Sequence, residues 1–94
     1  MGRKARPKPE KLGEKLLQIR QSLGLSQSQM YKQLELEDFV SHKQMSKYEL
    51  GITEPPLMIL LRYARVVGIS TDVLIDDEMD LPVKLPAKPK RSYI

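Results

Sequence analysis

The chain has 94 residues, one histidine, no cysteine and a formal net charge of +4. That length allows one domain with a modest core. The lack of cysteine removes disulfide and thiolate chemistry, and no apolar run of ~20 residues offers a membrane span. Aromatic residues make up 5% of the chain, and β-branched residues nowhere alternate with polar ones for long, so the composition is all-α.

The charge is uneven. Residues 1–11 carry Arg3, Lys4, Arg6, Lys8 and Lys11 against Glu10, and residues 82–94 carry Lys84, Lys88, Lys90 and Arg91 with no acid. Between them, residues 12–81 hold seven cations and eleven anions. An acidic body with basic ends divides the chain into a basic N-terminal arm (1–9), a folded domain (10–78) and an extended tail (79–94) containing proline and lysine. Such arms either follow a phosphate backbone or solubilise the domain. The basic start is not followed by an apolar h-region, so no export signal is expected and a cytoplasmic location is.

In chain order, Pro7 and Pro9 keep the arm extended or disordered. A first helix is expected over 10–23, with Leu12, Leu16, Ile19 and Leu23 as one buried stripe and Gly24 as its stop. Ser26-Gln27-Ser28-Gln29 is a capping box that opens a second helix. Met30 and Leu34 face inward there, and the helix is expected to extend as far as Leu36. Residues 37–40 form a connector, with Phe39 expected to tuck against the core.

The third helix, 41–50, has both ends marked. Ser41 is expected to cap it with Gln44 bonding back, and Gly51 is a left-handed stop. Met45 and Tyr48 share its inner face, while Lys43, Ser46, Lys47 and Leu50 lie opposite, with His42 at the edge. By itself that outer face reads either as an ordinary solvated surface or as an interface.

Thr53-Glu54-Pro55-Pro56 turns the chain into a fourth helix with an expected inner stripe of Leu57, Leu60, Leu61, Ala64 and Val67, closed by Gly68. Ser70 is expected to cap a short fifth helix, 71–76, with Leu74 and Ile75 inward. Asp76, Asp77, Glu78 and Asp80 then read as a solvated helix exit rather than a metal site, because no glycine-centred loop arranges them.

Leu12-Gly13-Glu14-Lys15, Ile19-Arg20, Gly24-Leu25-Ser26-Gln27, Met45 to Gly51, Pro55, Leu57, Leu60-Leu61, Ala64, Gly68-Ile69-Ser70, Asp72 and Leu74 stand in register. In this order the chain over 11–76 resembles the lambda-repressor-like helix-turn-helix family (the Cro/repressor, XRE type). The resemblance implies a five-helix domain whose second and third helices form the helix-turn-helix, with the third in the DNA major groove. It implies that Gln27 touches a phosphate, that Ser41, His42, Lys43, Gln44 and Lys47 face DNA, and that Arg20 and Glu49 pair across the first and third helices. Ser46, on the same outer face, joins the DNA-facing set, and Arg3, Lys4 and Arg6 are the arm's cations.

The residue types suit those roles. Lys43 and Lys47 can reach guanine O6/N7 or straddle phosphates, Gln44 can pair bidentately with adenine, and Ser41 and His42 can contact phosphate or a base edge. Three features depart from the family: Tyr31 where a small residue is usual, Glu35 where glycine is usual, and about four extra residues within 35–39. Leu17, Met58, Ile59 and Val73 are apolar where the family is commonly polar, which marks a candidate interface.

The expected function is sequence-specific binding of double-stranded DNA by a repressor-like transcriptional regulator acting as a homodimer. A second reading is an antitoxin-like or other protein-interaction module on the same fold, with a protein partner. With one histidine, no phosphate-cradling glycine loop and no acid/base pair, neither an enzyme nor a cofactor is expected.

Overall fold

Leu12, Leu16, Ile19 and Leu23, each 8% exposed or less, form the stripe against which the rest of the chain packs. A computed structural model describes residues 9–82 and residue 85. Among these there are five α-helices and no strand: α1 (Leu12–Ser22), α2 (Gln27–Gln33), α3 (Lys43–Glu49), α4 (Leu57–Val67) and α5 (Thr71–Ile75). The arm residues Arg3, Lys4 and Arg6 and most of the tail lie outside the described residues.

α1 touches α3, α4 and α5, while α2 packs on α3 and α4 on α5. Met30, Leu34, Leu36, Met45, Tyr48, Tyr63 and Leu74 complete one core around α1. At ~1.5–3 kcal/mol per large apolar side chain withdrawn from water, this core is the main stabilising term. Gly24, Gly51 and Gly68 end their helices with φ between 70° and 75°, the left-handed stop that glycine adopts without strain.

Several expectations are corrected. α1 begins at Leu12, two residues late, and its start is served from the far end of the domain. The Asp77 carboxylate accepts from the backbone N–H of Glu10 (2.9 Å) and of Lys11 (3.0 Å). α2 has its Ser26–Gln29 capping box but ends at Gln33, because Glu35 turns left-handed with φ 56°. Leu36 is still fully buried.

Phe39 does not enter the core; it is 55% exposed. Residues 36–40 make one helical turn, with the N–H groups of Phe39 and Val40 bonding to the Leu36 carbonyl. Leu36 and Val40 take its inner side, and Phe39 is rotated off it.

Ser41 does not cap α3. His42 stands at the N-cap already in helical geometry and makes no side-chain cap, so the connector delivers the chain pre-wound. Ser70 likewise precedes α5 without a side-chain cap.

In α4, Leu57 is 80% exposed, and the buried stripe is Ile59, Leu60, Tyr63, Ala64, Val66 and Val67. Pro56 fixes where the helix starts, and Leu57 lies ~200° from Ile59 around its axis. Ile59 is therefore a core residue and leaves the candidate interface. Ile75 points outward, 43% exposed.

Candidate nucleic-acid interface

Two residues of α1 set the position of α3. At Gly13, an added Cβ would stand 2.8 Å from the Glu49 carbonyl oxygen and 2.9 Å from that of Tyr48. Only glycine lets α1 come this close to the C-terminal end of α3. About two turns on, Arg20 donates from Nε to Glu49 Oε2 (2.7 Å) and from Nη2 to Oε1 (3.1 Å), and from Nη1 to the Leu25 carbonyl (2.9 Å).

Glu49 also accepts from the Gln27 side-chain amide at 3.0 Å, so one carboxylate ties α1, α2 and α3 together. Its side chain is 4% exposed and that of Arg20 17%. In such shelter a bidentate, charge-assisted pair is geometrically demanding, and the loss of one partner is costly. The carboxylate raises the Arg20 pKa further above its ordinary value. Beside this network lies Tyr63, fully buried, whose hydroxyl is pushed up first by burial and then by the nearby Glu49 charge.

The opposite face of α3 meets solvent. Ser41, His42, Lys43 and Lys47 are exposed, and Gln44 and Ser46 are half-buried. Among the described residues, neither Lys43 nor Lys47 pairs with a carboxylate. Thr53 Oγ1 makes a long contact with Gln44 Oε1 at 3.5 Å. His42 Nε2 sits 3.0 Å from Ser28 Oγ on α2, and its ring meets the edge of Tyr31 with centroids 5.2 Å apart. Gln27 is half-buried and partly committed to Glu49. Its second amide hydrogen and its backbone N–H at the start of α2 are what it can still present to an anion.

Tyr31 explains how a large residue fits where helices two and three cross. Its hydroxyl donates to the Val40 carbonyl at 2.6 Å, and its half-buried ring packs between the core and His42 at the connector's end. Glu35 adopts the left-handed geometry that glycine would supply more cheaply.

Of the candidate interface residues, Met58 is 58% exposed, and Leu17 and Val73 are half-buried. The larger exposed apolar set is Leu50, Ile52, Leu57 and Met58, around the turn from α3 to α4.

Four structural residues were not singled out for these roles by sequence reasoning. Gly13 carries a signal: a glycine inside a helical pattern, away from its ends, marks a close backbone approach. Lys15 sits at core spacing from Leu12 and Ile19. It is 4% exposed, and its ammonium donates to the Val73 (2.6 Å) and Asp76 (3.0 Å) carbonyls at the end of α5. Asp77 and Arg62 have no local signal, since the backbone groups they bond are brought near only by folding.

Two short helices, the second fastened to α1 by a buried ion pair and exposing cations on its far side, define a helix-turn-helix domain. The comparisons agree. The family described as Helix-turn-helix (HTH_3) matches residues 16–74, and the chain belongs to that family.

A relative is the SPbeta prophage-derived uncharacterized HTH-type transcriptional regulator YonR of Bacillus subtilis (strain 168). It is 37% identical over 65 residues, which are 67% of this chain and 55% of that protein. The chain thus spans about half the length of this curated relative. A solved SinR protein/SinI protein complex contains a chain of the same fold, with TM-score 0.61 and 22% identity, covering 71% of this chain and 62% of that one. No helix among the described residues is long and apolar enough to cross a membrane.

Proposed function

We propose that the protein is a sequence-specific regulator that binds double-stranded DNA as a homodimer, with 41–50 in the major groove. The observation that carries this reading is the pairing of two properties on α3. Its inner end is locked to α1 and α2 through Glu49, while Lys43 and Lys47 on its outer face have no carboxylate partner among the described residues. A fixed helix with uncommitted donors suits base readout, because the discrimination from a bidentate contact depends on placement.

In this reading Lys43 and Gln44 read base edges, and Ser41, His42, Ser46 and Lys47 contact phosphates or neighbouring bases. Gln27 offers its N–H groups to a phosphate at the start of α2. Arg3, Lys4 and Arg6 add affinity without sequence information. The protein works in the cytoplasm, and occupancy of its site is what regulates.

Selection from a random duplex pool tests the reading. An enriched pseudo-palindrome is expected, since two copies of a seven-residue helix read two half-sites. A pool that remains random after repeated rounds contradicts it.

The apolar residues Leu50, Ile52, Leu57 and Met58 favour a second reading, a protein-interaction module. The SinR relative in fold was solved in a complex with another protein, which is consistent with such a role. Salt separates the two readings: DNA affinity falls steeply as salt rises, and apolar association does not.

A further inference from the structure

The C-terminal end of α3 is held by Gly13 and Glu49, but the residues assigned to base readout lie at its other end. That end is reached through a nine-residue connector, 34–42, where this family usually has a tight turn. A seven-residue helix is a lever of ~10 Å, so a swing of ~6° about its fixed end moves the far end by ~1 Å. Recognition at that precision requires the connector itself to be held.

One residue of α4 does this at the connector's start. Arg62 Nη1 donates to the Leu34 carbonyl at 2.8 Å and to the Glu35 carbonyl at 2.7 Å. These are the carbonyl of the residue that caps the C-terminus of α2 and that of the left-handed residue after it. The same guanidinium lies over the Phe39 ring, 4.5 Å from its centroid, a cation–π contact with the middle of the connector. At the connector's end, Tyr31 takes over through its bond to the Val40 carbonyl and its edge contact with His42.

We propose that Arg62 is a positioning residue for DNA recognition. With Tyr31 it turns the connector into a fixed spacer and so sets the register of residues 41–44 on the base pairs. Arg62 lies on α4, outside the helix-turn-helix pair, and it touches no nucleic acid in this assignment. The inference rests on the DNA-binding reading above.

The test uses the full chain with Arg62→Met, which keeps an apolar stem and removes the donors and the charge. Three quantities are read: the ratio of affinities for the selected and a random duplex, the salt slope on the random duplex, and amide exchange and chemical shifts in the DNA-free protein. The ratio is expected to fall ~10-fold, part of the worth of one base contact. The slope should stay as it is, because no phosphate-contacting cation is lost. Without DNA, the amides of Ser41 to Gln44 should shift and exchange faster while those of Lys47 to Glu49 keep their values.

An unchanged ratio, equal losses on both duplexes, or a uniform disturbance along α3 would overturn the proposal. If Arg62→Met does not fold, Tyr31→Phe, which removes one hydroxyl, carries the same test at the connector's other end. If the wild-type protein enriches no duplex, the DNA reading fails by itself. The exchange pattern of the DNA-free variant then still decides whether Arg62 holds the start of α3.

Discussion

The seam between α1 and α3 and the connector between α2 and α3 fix opposite ends of one helix by different means. In the seam, side chain meets side chain in shelter: Arg20, Glu49 and Gln27 share one nearly buried carboxylate, and Gly13 admits direct backbone contact. In the connector, side chains hold backbone: Arg62 grips two carbonyls and Tyr31 a third. A seam of this kind depends on residue identity at every position. A connector held by its carbonyls can vary in side chains and length as long as the gripping residues reach it. The difference separates the part of α3 that anchors from the part proposed to read.

The largest effect expected from breaking the seam follows loss of its shared carboxylate. Glu49→Ala should cost ~3 kcal/mol, near the lower end for a broken buried pair because Arg20 keeps some solvent access. Arg20→Ala should also destabilise, and the double variant should cost less than the sum of the singles. Denaturant unfolding of the four proteins measures this; additive losses would show that the pair does not act as a unit.

Next comes Gly13→Ala. Its methyl group meets the carbonyl oxygens of Glu49 and Tyr48, which cannot rotate away, so α1 and α3 must part at ~1–3 kcal/mol. A melting temperature equal to that of the wild type would mean the seam is looser than its distances imply.

In the connector the sign reverses. Glu35→Gly should stabilise by up to ~1 kcal/mol, because it removes the strain of a left-handed non-glycine residue while leaving the carbonyl that Arg62 holds. Destabilisation would show that the Glu35 side chain contributes more than its backbone costs.

The smallest effect concerns the start of α1. Two backbone N–H bonds, from Glu10 and then Lys11, hold the Asp77 carboxyl below the usual aspartate range. A depressed folded pKa contributes stability that is present above the unfolded value and lost as pH falls through the folded one. Asp77→Asn should therefore lower stability at neutral pH, and the difference from wild type should disappear as pH falls below about 4, so that the variant's acid profile is flatter. Parallel acid profiles for the two proteins would contradict this.

The same contrast governs what was legible in the sequence. Leu12, Leu16, Ile19 and Leu23 repeat at helical spacing, and Gly24, Gly51 and Gly68 punctuate the chain, so five helices and their order could be read directly. The Arg20–Glu49 pair followed only from family resemblance. The connector resisted, because nothing in a run such as Glu35 to Val40 states that its carbonyls will be met by an arginine 27 residues away. Phe39 was misplaced for that reason: apolar character suggested the core, whereas the ring lies under Arg62 at the surface. Leu57 and Ile59 exchanged roles because apolar spacing alone does not say which edge of the stripe of α4 the rest of the fold covers. Leu60, Ala64 and Val67 kept their expected places, so the buried face is turned by only ~60°, enough to admit Ile59 and release Leu57.

The outer face of α3 is proposed to read sequence. The direct measurement is the affinity of wild type, Lys43→Ala and Gln44→Ala for the selected duplex and for a random duplex, at one salt concentration. Each variant should lose ~1–3 kcal/mol on the selected duplex and much less on the random one. Equal losses on the two duplexes would contradict the claim and leave α3 as a phosphate-contacting helix without sequence preference.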